Sequence, residues 1–203
     1  MAVNSRPRRR MMVTVLLYLI VCFTWGTTWL AIEHAVATVP PLMASGLRFL
    51  MAFPLFVLFA RLKGASLLYP TGQGGLFVLI TVCYFSLPYY FIAYGEQYVS
   101  AGLAALIFSA MPVFMLLFSM LFLKERVALT QLLGLVLGFG SLTMILVNVG
   151  QHFSFDHLLG VFAVLAAAIM HGLCYVITKA RASEISAITF NALPIGVAGG
   201  GVG

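Results

Sequence analysis

The chain has 203 residues, of which 63% are hydrophobic and 8% are charged, and its mean hydropathy is +1.10. A soluble domain carries about 25% charged residues to cover its surface. The composition therefore excludes a water-soluble globule, and with it a nucleic-acid-binding domain, in spite of the formal net charge of +6. It indicates a polytopic membrane protein in contact with the lipid bilayer.

Seven apolar runs are long enough, or nearly so, to cross a hydrocarbon core about 30 Å thick, which takes roughly 20 helical residues. Each run is predicted to be helical, because a chain in lipid must satisfy its own backbone N–H and C=O groups. The loops are short, so consecutive helices should run antiparallel. The predicted spans are Met12–Ile32, Val39–Ala60, Gly74–Tyr94, Ser100–Leu123, Leu129–Asn148, Leu158–Thr178 and a seventh from Ile185 onward.

Basic residues lie in alternate loops of this prediction. Four arginines precede the first span, and the loops after the second, fourth and sixth spans contain two basic residues each. The other loops contain none, and the remaining basic residue, Arg48, is inside the second span. The positive-inside rule therefore predicts a cytoplasmic N-terminus. A cleaved signal peptide ending near Ala35-Val36-Ala37 is the alternative, but the apolar run is too long for a signal core.

The sixth span resembles the first. When the chain is shifted by 146 residues, Gly26 aligns with Gly172 and Trp29 with Tyr175. The two copies are five spans apart, so they should run in opposite directions, as in the inverted repeats of secondary transporters. We predict an all-α fold of inverted five-helix repeats with three parts. They are a cytoplasmic basic tail at 1–11, a first repeat at 12–148, and a partial second repeat at 157–203 that ends within the membrane.

Short motifs follow one another along the first five spans. They are Trp25-Gly26-x-x-Trp29, Leu47-Arg48-Phe49, Ala93-Tyr94-x-Glu96, Met111-Pro112-Val113-Phe114, Phe122-Leu123-Lys124-Glu125-Arg126 and Gln131-Leu132-Leu133-Gly134-x-x-x-Gly138. Together they resemble one repeat of the EamA family of the drug/metabolite transporter superfamily. The resemblance implies a ten-helix permease of the cell inner membrane that moves amino acids or related small metabolites, commonly outward. Against that pattern, the second repeat is expected to be truncated.

Arg48 is the most informative single residue. It lies nine residues into the second predicted span, about 14 Å from the outer boundary at 1.5 Å per residue. A charge at that depth costs several kcal/mol and normally faces a cavity or a partner. We predict that Arg48 lines the transport pathway, with Ser45 one turn earlier on the same face. The alternative is a structural arginine that donates to helix carbonyls.

Aromatic, hydroxyl and imidazole side chains supply the other candidates for the substrate pathway. Trp25 and Thr28 share one face of the first span, although Trp25 is explained equally well by packing. His171 is predicted either to relay protons or, more commonly for a membrane histidine, to be neutral and hydrogen-bonded. Hydroxyls along one face of the third span favour a wet cavity or interhelical hydrogen bonds. They belong to Tyr84, Ser86, Tyr90 and Tyr94.

Signals of enzymatic chemistry are lacking in the sequence. It has no Ser/His/Asp set, no HExxH, no phosphate-binding loop and no metal-ligand spacing, so we expect no cofactor and no metal. The sequence therefore predicts a secondary transporter that uses a gradient to move a small molecule by alternating access. The alternative is an inactive fragment, or a structural membrane subunit that needs a partner to supply further helices.

Two further features bear on helix packing and on the helix ends. Gly134 and Gly138 permit close helix approach, which we expect within the bundle, with a homodimer as the alternative. Glu33 and Glu96 are predicted to mark helix ends on the outer side of the membrane.

Overall fold

A computed structural model describes residues 5–125, 128–148, 155–182 and 185–201 of the chain. Within these ranges all regular structure is helical, which confirms the all-α prediction. The helices are α1 (Ser5–Val36), α2 (Pro41–Lys63), α3 (Gly74–Leu79), a π-helical segment (Ile80–Ser86), α4 (Leu87–Gly95), α5 (Ala101–Phe108), α6 (Met111–Leu123), α7 (Leu129–Asn148), α8 (Phe155–Arg181) and α9 (Ala187–Gly200).

Five helical stretches in the described ranges are long and apolar enough to cross a membrane. They correspond to the first four predicted spans and to the sixth, which confirms a polytopic membrane protein. The predicted fifth span coincides with α7 (Leu129–Asn148), and the predicted seventh span corresponds to the shorter apolar helix α9 (Ala187–Gly200). The five long stretches are Met11–Val36, Pro41–Lys63, Gly74–Gly95, Ala101–Leu123 and Phe155–Arg181.

Local sequence explains where several helices begin and end. The Ser100 side chain accepts a hydrogen bond from the Leu103 amide and caps α5, an interaction worth about 1 kcal/mol. Pro41 stands at the start of α2, where the backbone N–H of any residue would have no partner within the helix, so the lack of an N–H in proline costs nothing. Gly64 ends α2 with φ +63°, a left-handed conformation that glycine adopts without a Cβ clash.

The third membrane span is interrupted by the π-helical segment, which joins α3 to α4. Pro88 follows this segment and has no N–H with which to continue a regular ladder. The Ser86 hydroxyl donates to the Thr81 carbonyl, five residues earlier, at 2.8 Å. A side chain therefore supplies a hydrogen bond in this widened part of the helix.

The helix α8 packs against α4, α5 and α6, and glycines allow its closest approaches. A Cβ built on Gly95 would lie 2.6 Å from Val164 Cγ2 and 2.9 Å from the Gly160 carbonyl oxygen. A Cβ on Gly172 would lie 3.0 Å from Phe114 Cβ. Any side chain at Gly95 would force α4 and α8 apart, so these glycines set the spacing of the bundle.

The helices α2, α6 and α8 end on one side of the bundle, which we call the basic side. There the Lys179 ammonium donates to Glu125 at 2.8 Å and joins the ends of α8 and α6. In the opposite half of the bundle, Trp29 of α1 packs on Phe108 of α5 with ring centroids 5.4 Å apart. The helix α1 thus ends opposite the basic side, and α1 and α8 run in opposite directions, as an inverted repeat requires. The basic side carries Arg61, Lys63, Lys124, Lys179 and Arg181.

Two hydrogen bonds on the basic side connect the loop at 64–73 to the start of α9. The Tyr69 hydroxyl donates to the Phe190 carbonyl at 3.0 Å, and the Thr189 hydroxyl donates to the Ser66 carbonyl at 2.6 Å. Burial raises the pKa of Tyr69 to about 12, so this hydroxyl keeps its proton. These contacts, together with the Lys179 ion pair, join the helix ends and the 64–73 loop on the basic side of the bundle.

The close helix approach predicted at Gly134 and Gly138 is not formed with a described helix. A Cβ added at either glycine of α7 would meet nothing within 4 Å. The glycine face of α7 is therefore open in this structure, and the homodimer alternative stays a prediction.

Candidate functional site: two cavities that meet at Arg48

A cavity of about 390 Å³ lies between α1, α2, α4, α5, α6, α8 and the π-helical segment. Most of its wall belongs to the half of the bundle away from the basic side, because it uses the last turns of α1 and the first turns of α2. A volume of this size matches the lower part of the range for small-molecule sites. The wall consists of Thr24, Trp25, Thr28, Trp29, Ile32, Arg48, Tyr84, Tyr89, Ile92, Phe108, Met111 and His171.

A second cavity of about 210 Å³ continues from the first toward the end of α1. It is bordered by Ala35, Ala44 and Ser45, which lie close to the α1–α2 connection. Four residues line both cavities, so the two spaces are adjacent and Arg48 stands at their junction. The shared residues are Thr28, Ile32, Arg48 and Tyr89.

The guanidinium of Arg48 is supported by aromatic rings. Its Cζ lies 4.5 Å from the centroid of the Tyr89 ring and 5.5 Å from that of Phe49. Cation–π contact of this kind contributes about 0.5–2 kcal/mol, more when the cation is desolvated. Within the described ranges Arg48 forms no ion pair within 4.0 Å and no hydrogen bond to a helix carbonyl. Arg48 has a side-chain hydrogen bond with Tyr89, and its other donors remain available to a ligand in the cavities.

Trp29 and Trp25 belong to the same helical face but have different surroundings. Trp29 is 8% exposed and packs on Phe108, so it forms a fixed wall of the cavity. Trp25 is 59% exposed and stands at the cavity rim. Thr28 lies between them and donates to the Thr24 carbonyl of its own helix at 2.8 Å.

His171 is 5% exposed and lies within a ring of aromatic side chains. Its Nδ1 is 3.0 Å from the Ala167 carbonyl oxygen, and because a carbonyl only accepts, Nδ1 carries the proton. The imidazole centroid lies 4.8 Å from that of Tyr84, 5.5 Å from Tyr89 and 5.3 Å from Phe108. His171 thus has the arrangement of a neutral, hydrogen-bonded histidine, and its Nε2 is left as an acceptor.

The structure brings six of the predicted pathway residues to the two cavities and leaves three elsewhere. Ser86 is engaged with the Thr81 carbonyl. Tyr90 stacks on Tyr94 with centroids 6.0 Å apart, and Tyr94 packs on Tyr98 at 5.1 Å. None of these side chains lines either cavity. Those that do are Trp25, Thr28, Ser45, Arg48, Tyr84 and His171.

Sequence reasoning did not single out Tyr89, which contacts both Arg48 and His171. The reason is the π-helical segment, in which each turn takes about one residue more than in an α-helix. Tyr84 and Tyr89 are five residues apart, and both reach the cavity. The i, i+4 pattern of a regular helix instead selected Tyr90. Pro88 was the one signal in the sequence that pointed to an irregular helix here.

The polarity of the site suits binding of a small organic anion. It combines one guanidinium, several aromatic faces and one imidazole acceptor, and no carboxylate lines either cavity. Among the described residues no group of three or more His, Cys, Asp or Glu is placed to hold a metal ion.

Comparison with known proteins agrees with this architecture. Protein PagO of Salmonella typhimurium is 42% identical over 184 residues, which cover 91% of this chain and 60% of PagO. A protein of Escherichia coli named probable amino-acid metabolite efflux pump is 35% identical over 155 residues, covering 75% of this chain and 48% of its own length. A crystal structure with 16% identity has the same fold, with a TM-score of 0.65 over 90% of this chain and 65% of its own.

The family match covers most of the first five helical spans. Residues 12–147 match the EamA-like transporter family, a range that includes the cavity residues from α1 to α6. The chain spans about three fifths of the length of PagO. On the strength of this match and of the identity to PagO, the chain belongs to the EamA-like transporter family.

Proposed function

We propose that this protein is a secondary transporter that exports amino acids or related small metabolites across the cell inner membrane by alternating access. The observation that carries the proposal is the guanidinium of Arg48, which forms no ion pair within 4.0 Å among the described residues and lies at the junction of two cavities. The name of the Escherichia coli relative supports the substrate class, and the basic side, with its concentration of Lys and Arg, is assigned to the cytoplasm with the N-terminus.

Arg48 is proposed to bind the carboxylate of the substrate. A guanidinium presents a planar fork of donors that matches the two oxygens of a carboxylate. The Tyr89 ring holds this fork from one face, so little conformational entropy is lost when the ligand binds. The aromatic walls would then contact the apolar part of the substrate, and His171 Nε2 would accept from one of its donors.

Alternating access requires a side of the bundle that can open. The basic side is held by two buried or half-buried hydrogen bonds and one exposed ion pair. Each hydrogen bond contributes about 0.5–1.5 kcal/mol net, and an exposed ion pair about 0–1 kcal/mol. These three contacts therefore contribute a few kcal/mol to the closed arrangement, in addition to the packing of α9 on α2.

Transport by proteoliposomes tests this function. The purified protein is reconstituted, loaded in turn with a panel of labelled amino acids, and assayed for counterflow. We expect activity with at least one amino acid, and its loss in Arg48→Leu, because the carboxylate then has no charged partner. Arg61→Leu removes an arginine at the end of α2, away from the two cavities at Arg48, and should transport normally.

Arg48→Lys separates the chemistry of the site from its charge. Lysine keeps the positive charge but lacks the planar fork, so the apparent KM should rise clearly while the maximal rate changes less. Normal transport by Arg48→Leu would contradict the pathway role of Arg48. Inactivity of the wild-type chain with every amino acid would favour the alternative, a membrane subunit that depends on a partner.

A further inference from the structure

Glu96 is a buried carboxyl that the proposed transport mechanism does not use. It is the first residue after the third membrane span, which ends at Gly95, and it is 4% exposed. Its backbone N–H donates to the Ile92 carbonyl at 3.0 Å, whereas neither carboxyl oxygen has a hydrogen-bond partner in the described structure. Buried polar groups in proteins are nearly always hydrogen-bonded, so this carboxyl calls for a physical explanation.

The fold holds Glu96 in its buried position. The preceding residue, Gly95, is pressed against the Gly160 carbonyl and Val164, where a Cβ would meet atoms at 2.9 Å and 2.6 Å. The amide of Tyr98 donates to the Gly95 carbonyl at 2.9 Å and closes the turn. The backbone that carries Glu96 is thus held against α8 at Gly95.

Two charged groups from other helices act on Glu96, namely Glu33 of α1 and Arg48 of α2. Ala93, about one turn before Glu96 on α4, lines the second cavity together with Arg48, so the end of α4 that carries Glu96 borders the space that the guanidinium faces. The helix α8 begins with Asp156 and His157 on the same side of the bundle, but where it packs on α4 it presents Gly160 and Val164. The helix α5 contains no ionisable side chain. A like charge and burial disfavour the ionised form of Glu96, and Arg48 opposes them.

We propose that Glu96 is a proton-binding site that is linked electrostatically to Arg48, so that its protonation leaves the guanidinium charge free for an anionic ligand. When Glu96 is ionised, its negative charge opposes the positive charge that Arg48 presents to the cavities. In alkaline solution, where Glu96 is ionised, an anion that occupies Arg48 cancels the support of the guanidinium for the ionised form, and the carboxylate takes up one proton from water. Proton and anion therefore bind together, and no other bond changes.

The acid–base behaviour expected of Glu96 agrees with this geometry. Burial, with the Glu33 carboxyl as a second cause, raises the pKa of Glu96 to about 8, against the opposing effects of the Arg48 charge and the Glu33 backbone. Glu96 is therefore mostly protonated at neutral pH and loses its proton in mildly alkaline solution.

Infrared titration of the carboxylic-acid C=O band tests the linkage without any ligand. In the wild-type protein, a buried carboxylic-acid band that is absent from Glu96→Gln should disappear with a midpoint near pH 8. In Arg48→Gln the midpoint should move to higher pH, because the opposing positive charge is gone. A midpoint unchanged by Arg48→Gln, or the same titrating band in Glu96→Gln, overturns the proposal.

Binding of phenylacetate as a probe anion tests the consequence for the cavity. This inference rests on the proposed role of Arg48, so the two are measured separately. The wild-type protein in nanodiscs should bind phenylacetate roughly tenfold more tightly at pH about 6 than at pH about 9, with proton uptake, and Glu96→Gln should bind it equally at both. Asp156→Asn, a carboxyl at the same end of the bundle, should retain the pH dependence of the wild type.

The two measurements give distinguishable failures. If the carboxyl band responds to Arg48→Gln but phenylacetate does not bind, the linkage stands and the proposed anion site at Arg48 fails. If phenylacetate binds through Arg48 with the same pH dependence in the wild type and in Glu96→Gln, the site stands and the proton linkage of Glu96 is overturned.

Discussion

The guanidinium of Arg48 lies over the face of Tyr89, with Cζ 4.5 Å from the ring centroid. Both residues line the larger cavity. The Tyr89 ring meets the imidazole of His171 edge-on, with centroids 5.5 Å apart. The guanidinium and the imidazole both contact this one ring and are therefore within about 10 Å of each other. The Arg48 guanidinium, a donor, and the His171 imidazole, an acceptor, thus line the same cavity, which is large enough for a small molecule.

Replacement of Tyr89 should weaken substrate binding through Arg48. Tyr89→Leu removes the ring under the guanidinium, and a cation–π contact of about 0.5–2 kcal/mol corresponds to a rise in apparent KM of roughly 2- to 30-fold. Tyr89→Phe keeps the ring and should stay within about twofold of the wild type. Initial rates of counterflow at several substrate concentrations provide the measurement. An equal loss in both variants would show that the hydroxyl, and not the ring, is the important group.

Alanine in place of Gly95 should destabilise the bundle. The new Cβ would lie 2.6 Å from Val164 Cγ2 and 2.9 Å from the Gly160 carbonyl, and overpacking of this kind costs about 1–3 kcal/mol. Gly102 of α5 is the matched control, because a Cβ there meets nothing within 4 Å, and alanine is the better helix former. Thermal unfolding in detergent should show a lower Tm for Gly95→Ala and an unchanged or higher Tm for Gly102→Ala. If Gly95→Ala has the same Tm as the wild type, α4 and α8 can move apart without loss of stability, and close packing at Gly95 is not required.

Those features of the fold that depend on composition were predictable from the sequence. The long apolar runs predict the membrane-spanning helices, and the basic residues between them predict which helix ends share a side of the membrane. A single arginine within an apolar run, such as Arg48, is also easily recognised in the sequence. The sequence alone therefore indicates Arg48 as a pathway candidate, and Arg48 lines both cavities in the structure.

The features that depend on helix irregularity or on distant contacts were not predictable in this way. The π-helical segment shifts the lining face from Tyr90 to Tyr89, which a regular helical period does not allow for. Glu96 directly follows the end of α4, as a residue that marks a helix end should, but its burial is not predictable from the sequence, because it depends on the contact of Gly95 with Gly160, 65 positions further along the chain. No local sequence pattern predicts the contact between Gly95 and Gly160.

The stability of the protein should fall as the pH rises, because of Glu96. Its pKa is raised to about 8 in the folded state from 4.5 in the unfolded chain, so the folded state binds more protons between these values. Below about pH 4.5 the carboxyl is neutral in both states and has no effect. Above that pH its burial becomes increasingly unfavourable, by roughly 3–5 kcal/mol in all once the pH exceeds 8. In detergent, Glu96→Gln should remove most of the decrease in Tm between about pH 5 and pH 9. A decrease of the same size in this variant would assign the pH dependence to other groups.

Membrane topology can be tested with single cysteines in a chain whose native cysteines are replaced. Thr38, between α1 and α2, and Gln97, after α4, should react with an impermeant thiol reagent added outside cells. Leu68 lies in the loop on the basic side and is 71% exposed. A cysteine there should not react in intact cells, because the basic side is predicted to face the cytoplasm. After the membrane is permeabilised, the cysteine at Leu68 should react as well. Outside labelling at Leu68 in intact cells would reverse the predicted orientation.

Loss of the hydrogen bond between the Tyr69 hydroxyl and the Phe190 carbonyl should favour opening of the basic side. Tyr69→Phe removes one donor and leaves the ring in place, and a net loss of about 1 kcal/mol changes the ratio of closed to open states roughly fivefold. Spin labels at Leu68 and Ala187, both exposed, report the separation of the two connected segments by double electron–electron resonance. We expect a larger population at long distance in Tyr69→Phe than in the wild type. Tyr98→Phe, in the turn that follows α4, removes a hydroxyl in the opposite half of the bundle and should leave the distribution unchanged. If Tyr69→Phe also leaves it unchanged, the hydrogen bond to α9 does not hold this side closed.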